Sequence, residues 1–183
     1  MEDHEIVALY WARDERAITE SDQKYGAYCR TVAFHILRNR EDSAECVNDT
    51  YLRAWDAMPP QRPSRLRVFL AAITRNLSLD RCRASGAAKR GGKQLTLALH
   101  ELEESVPSGG NVAEDLALAD LLDRFLASLS AEDRRIFLRR YWYMLPVKEI
   151  ARGIGLGESK VKMSLLRSRR TLKAQLEREG YTV

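Results

Sequence analysis

Residues 147–166 read VKEIARGIGLGESKVKMSLL. Val147, Ile150, Ala151 and Ile154 recur at three- and four-residue steps, one face of a short helix. Pro146 suits the opening turn of that helix. Gly155 follows, where a tight turn needs positive φ. A second helix then opens with polar residues and turns Val161 and Leu165 inward. Ala151 is small enough for the two helices to cross. This is the spacing of a helix-turn-helix, whose second helix enters the DNA major groove by its N-terminal part. Glu158, Ser159, Lys160, Lys162, Met163 and Arg167 face outward on it. Arg169, Arg170 and Lys173 continue along the helix toward phosphates. An ordinary helical hairpin with a solvated basic face has the same pattern.

Outward from this unit the chain is helical on both sides. Leu118, Leu121, Leu122, Phe125, Leu126 and Leu129 form a wide apolar stripe. Ser130 with Asp133 makes a capping-box pattern ahead of Ile136, Phe137 and Tyr141. Near the N-terminus, Tyr25, Cys29, Val32, Ile36 and Leu37 share a helical face. Asp42 with Glu45 suggests another capping box, opening a helix with Val47, Tyr51, Ala54, Trp55 and Met58 on one stripe. Pro59, Pro60 and Pro63 end it. Leu66, Phe69, Leu70, Ile73 and Leu77 then mark a helix running to about Arg83. Between 84 and 111, glycines, Pro107 and serines break any period. Leu95, Leu97 and Leu99 alternate there, which suggests a short extended piece. The fold class is all-α. A small helical domain over 1–84 is joined by a flexible linker, 85–113, to a helix-turn-helix domain over 114–183.

The net charge of +4 over 183 residues is modest. Its distribution says more. Residues 1–64 hold eight basic and twelve acidic residues; 65–93 hold eight and one. Residues 94–133 hold one and nine; 134–183 hold thirteen and four. Two basic blocks flank an acidic one, which suggests contact with a polyanion at two places, although two solvated faces would read alike. In the first block Arg65, Arg67, Arg75, Arg81 and Arg83 surround the apolar stripe, with Asn76 among them. Asn can read a base edge and Phe69 could stack on an unpaired base, although Phe69 also fits the core stripe. Glu45, Asn48, Asp49 and Asp56 lie off the stripe of their helix. An acidic face repels DNA and suits a protein partner, while plain solvation explains any single one of them.

Several function classes fall away. No window holds an apolar run of the ~18 residues a spanning helix needs, and the N-terminus lacks a secretory signal pattern. No membrane insertion is expected. Three cysteines and three histidines are scattered without zinc-ligand spacing, so free thiols in a reducing cytoplasm are expected. No nucleophile elbow, Walker loop or paired-carboxylate pattern is present, so the expectation is a non-enzyme with neither metal nor cofactor.

Two stretches carry a family resemblance. One is DSAECVNDTYLRAW, 42–55, followed by FLAAITRNLSLD, 69–80. The other is LSAEDRRIF, 129–137, with Arg140-Tyr141, Glu149-Ile-Ala151, Val161-Lys162 and Arg167-Ser-Arg169. In this order and spacing, most of the chain resembles regions 2 and 4 of the extracytoplasmic-function (ECF) sigma factors of bacterial RNA polymerase. The resemblance implies that the chain directs core polymerase to promoters and works as a monomer when free. Glu45, Asn48 and Asp49 would dock on the clamp helices of the largest subunit. The Met58–Arg67 loop and the following helix would capture an unpaired −10 base, with Asn76 in the base pocket and Phe69 near the melting point. Arg65, Arg67, Arg75 and Arg81 would support that contact. Region 4, with Glu158, Ser159, Lys160, Lys162, Met163, Arg167 and Arg170, would hold the −35 duplex and touch the polymerase flap. The acidic linker would thread toward the active-site and RNA-exit channel, and an anti-sigma partner becomes plausible. Met163 and Ser164 stand where many relatives carry Ser and Arg, and the proline-rich loop differs from many relatives. A stand-alone helix-turn-helix regulator remains the alternative; it would need a dimer and a palindromic site.

Overall fold

In the computed structural model, the structure describes residues 1–84, 97–98, 100–102 and 112–181. Every regular element among the described residues is helical. In chain order they are α1 (Asp3–Trp11), α2 (Arg16–Leu37), α3 (Arg40–Ala57), α4 (Leu66–Ala84), α5 (Val112–Ser128), α6 (Ala131–Tyr141), α7 (Val147–Ile154) and α8 (Glu158–Arg178). The chain divides into two compact units, Met1–Gly92 and Lys93–Val183.

In the first unit α2, α3 and α4 pack against one another, and α1 lies against α2 and α4. Ile6, Val7, Tyr10, Cys29, Val47, Tyr51, Met58, Leu66 and Leu70 are buried together. The turn before α3 differs from the expected one. Arg38 ends α2 in the left-handed region (φ 57°), and Asn39, in extended conformation, caps α3. Its Oδ1 accepts from the Glu41 and Asp42 amides at 2.8 and 3.1 Å. Asp42 therefore lies inside the first turn, where its charge suits the helix dipole, and the cap belongs to the residue with the free extended backbone. The α3–α4 seam is lined by small polar side chains. Thr50 Oγ1 lies 3.0 Å from Thr74 Oγ1, and Cys46 Sγ lies 3.3 Å from Ser78 Oγ, all buried.

In the second unit Phe125, Ile136, Phe137, Tyr141, Ile150, Val161, Leu165, Leu172 and Leu176 form the core. Phe137 packs edge-on against Phe125, ring centroids 5.2 Å apart. Ser130 caps α6: its Oγ accepts from the Asp133 amide at 3.0 Å and donates to Asp133 Oδ2 at 2.8 Å. Pro146 stands just outside α7 as its cap rather than in its first turn. Gly155 ends α7 at φ 69°, and the next amide, Leu156, donates to the Ala151 carbonyl at 3.0 Å. A Cβ at 155 would meet open space, so conformation rather than crowding favours glycine there. The helix-turn-helix is thus α7 and α8.

The segment expected as an extended piece is different. Residues 97–98 and 100–102 are helical, with Ala98 buried and Leu102 packed on the second core. Leu95 and Leu99 lie outside the described residues, as does most of the stretch read as linker.

Candidate nucleic-acid and protein interfaces

Helix α8 buries Val161, Ser164, Leu165, Ser168, Leu172 and Leu176. That pattern turns the opposite face to solvent. Glu158, Ser159, Lys160, Lys162, Met163, Arg167 and Arg170 are all exposed. Met163 leaves 53% of its surface in water, unusual for a side chain held only for packing. Two of the cations are shared with the start of α6. Lys160 Nζ lies 3.1 Å from Glu132, and Arg167 Nη2 lies 3.9 Å from Asp133. Ser164 donates to Asp133 from the buried side of α8. The Ser164 and Ser130 hydroxyls, with Arg167 and Lys160, outweigh burial and hold the Asp133 carboxyl below its ordinary range. The capping box pointed to Asp133 as a helix start; its second role, bracing the exposed helix, has no local signal.

Arg169, expected to run on toward phosphates, is half-buried and engaged. Its Nη1 donates to the Tyr141 hydroxyl at 2.6 Å and lies 3.6 Å from Glu101. Glu101 is the centre of this group. It accepts from Arg140 Nη2 at 2.9 Å and Arg140 Nε at 3.2 Å, and from the Tyr141 hydroxyl at 3.0 Å. Arg140 is 1% exposed and also donates to the Leu145 carbonyl at 3.1 Å. A guanidinium so deep needs a carboxylate in bidentate register. Burial, partly offset by Arg169, pushes the Tyr141 phenol up to about 12.

In the first unit the expected nucleic-acid residues part company. Arg65 and Asn76 are exposed. Arg67 is exposed too, but its guanidinium stacks over the Tyr28 ring at 4.2 Å. Phe69 packs against the core and is only partly accessible. Arg75 is half-buried, and burial together with Arg83 lowers its pKa. Arg81 lies 3.2 Å from Glu45 and pairs with Asp49 as well. Sequence reading assigned these three residues to two different surfaces; the fold joins them across the α3–α4 seam. Asn48 stays exposed, and four residues on, Leu52 leaves 60% of its surface in water. Leu52 lies off the apolar stripe of α3, and that was its one sequence signal.

Among the described residues, no group of three or more His, Cys, Asp or Glu could hold a metal, and no helix is long and apolar enough to cross a membrane. Cys29, Cys46 and Cys82 are free thiols, all buried.

Comparison with known proteins bears on both units. Residues 33–178 match the ECF sigma factor family. The ECF RNA polymerase sigma factor SigL of Mycobacterium tuberculosis is 30% identical over 172 residues, covering 86% of this chain and 89% of the relative. The probable RNA polymerase sigma factor RfaY of Xanthomonas campestris is 25% identical over 146 residues, 79% of this chain and 36% of the relative. A solved structure of CnrH in complex with the cytosolic domain of CnrY aligns over 97% of this chain and 99% of CnrH, at 21% identity and a TM-score of 0.43. The chain belongs to the ECF sigma factor family and is an RNA polymerase sigma factor, a transcription-initiation subunit whose partners are core RNA polymerase and promoter DNA.

Proposed function

We propose that the two units divide promoter recognition: the first captures the melted −10 element and the second reads the −35 duplex. The observation that carries this is the outward face of α8. Seven residues expected at the DNA, Glu158 through Arg170, share one exposed face behind a turn of helix-turn-helix geometry. Met163 and Lys162 lie where base edges come within reach, and Arg167 and Arg170 lie where phosphates do. In the first unit Asn76 and Arg65 offer donors from α4 and its approach, and Phe69 supports that surface from the core. Arg75 and Arg81 act there through the helix rather than at the DNA. The face of α3 that carries Glu45, Asn48, Asp49 and Leu52 meets the polymerase: Arg81 braces its two acids, and the exposed Leu52 suits a protein partner.

In this reading the polymerase supplies the chemistry, and the sigma factor supplies position, in the cytoplasm and without cofactor or metal. Each basic surface alone binds DNA weakly and in a salt-sensitive way. Tethering both to one polymerase makes the second contact intramolecular. The test is promoter binding by free protein and by protein with core polymerase, on DNA with either element scrambled. Specific binding is expected only with core polymerase, lost on scrambling either element. Tight specific binding by the free protein overturns the reading.

A further inference from the structure

Helix α1 left no clear sequence pattern, yet it holds the 58–65 loop at both ends. Near its start, Asp3 Oδ2 accepts from the Leu66 amide at 3.1 Å, fixing the residue where the loop becomes α4. The other oxygen of that carboxylate is held by Lys24 Nζ at 2.8 Å and by the Tyr25 hydroxyl. At the far end of α1, the Trp11 indole N–H donates to the Gln61 carbonyl at 3.1 Å, in the middle of the loop. Just beyond, Arg13 Nη1 donates to the Trp55 carbonyl at 2.7 Å, in the last turn of α3 before the loop.

Trp11 is not held there as a core residue. It leaves 41% of its surface exposed, and its polar edge is spent on a loop carbonyl. The Arg62 guanidinium lies over its ring, 5.4 Å from the centroid. A stacked guanidinium keeps its in-plane N–H donors free. Arg62 is itself exposed, as are Gln61, Ser64 and Arg65. Pro59, Pro60 and Pro63 contribute no backbone donor, so side chains such as Arg62 carry a larger share of any recognition by this loop. A donor that selects a base must be held within about 0.5 Å of its productive position.

We propose that α1 takes part in −10 selection: Trp11 is a positioning residue that holds Arg62, and Arg62 contacts the unpaired −10 strand. The proposal rests on the assignment of the first unit to the −10 element; it singles out Arg62 within the 58–67 loop and adds Trp11 of α1, which lies outside that loop.

The test uses holoenzyme assembled from core polymerase and full-length protein. It measures binding to fork-junction DNA carrying the preferred −10 strand or single-base variants. Trp11→Ala and Arg62→Ala should each lower discrimination by about five- to tenfold, the scale of one lost hydrogen bond. The double variant should be no worse than either single, because both act through one contact. Trp11→Phe, which keeps ring and stacking but lacks the N–H, should lose less. Binding of core polymerase and of −35 duplex should stay unchanged in all four variants. Equal weakening on every −10 variant, additive losses in the double variant, or full discrimination by assembled Trp11→Ala and Trp11→Phe holoenzymes each overturns the proposal alone. Wild-type holoenzyme indifferent to the −10 strand overturns the underlying assignment, and the proposal with it.

Discussion

The two units tie their helices together with different chemistry. Across the α3–α4 seam the polar contacts in the interior are neutral: Thr50 against Thr74, Cys46 against Ser78. In the second unit the interior tie is ionic, with Glu101 gripped by Arg140, Tyr141 and Arg169. The neutral tie has fallback partners. Thr74 already donates its hydroxyl to the Leu70 carbonyl at 2.8 Å, and Ser78 to the Thr74 carbonyl at 2.7 Å. The ionic tie has none of equal strength, because a carbonyl does not neutralise a guanidinium that is 1% exposed. It also draws its carboxylate from outside the helices it stabilises, 39 residues before Arg140. One seam tolerates loss, and the other depends on a distant piece of chain.

That contrast can be broken directly. Glu101→Ala strands the Arg140 charge and should destabilise the second unit by about 3 kcal/mol, the low end for a broken buried pair because Glu101 keeps some solvent. Chemical denaturation followed by a probe in that unit measures it. Thr50→Val should cost roughly 1 kcal/mol in the first unit, since Thr74 retains a partner. If the two losses come out equal, the contrast between ionic and neutral ties is wrong. A smaller effect concerns pH. Asp133 has a depressed folded-state pKa, so its stabilising contribution is complete above the ordinary carboxylate range. It fades as pH falls through that range toward the folded value. Asp133→Asn should therefore flatten the acid limb of a stability–pH profile and leave neutral pH values closer to it. The smallest effect is on the outward face. Lys160→Ala should lower the salt slope of holoenzyme binding by about one unit without altering −35 preference. An unchanged slope would mean that Lys160 serves Glu132 instead of a phosphate.

What could be read from the chain followed from period and punctuation. The α7–α8 turn was legible because Gly155 interrupts a strict helical spacing, and the exposed face of α8 followed from Val161, Leu165 and Leu172 facing inward. Proline placement bounded α3. What escaped was nonlocal. The apolar residues of α1 bunch together at Ile6, Val7, Leu9 and Tyr10, so no stripe announced the helix or its reach to Gln61. Arg81 and its partners Glu45 and Asp49 are 32 to 36 positions apart, and each alone reads as a solvated charge. Glu101 was one acid among many in a stretch of broken period, and only the buried arginine opposite gives it meaning. Asn39 and Asp42 are equal candidates for the cap in sequence because both residue types favour that position; backbone conformation separates them.

The Glu101 anchor also bears on how this protein can be recombined. Its two units invite exchange with those of relatives, and the obvious junction is the composition break near residue 113. A splice there would separate Glu101 from Arg140, leaving the transplanted half with a desolvated cation and no counterion. The structure places the workable crossover upstream of Ala98, so that the short helical piece travels with the half whose core it completes. Chimeras joined at the two points would then differ in yield and folding before any difference in promoter choice could be read.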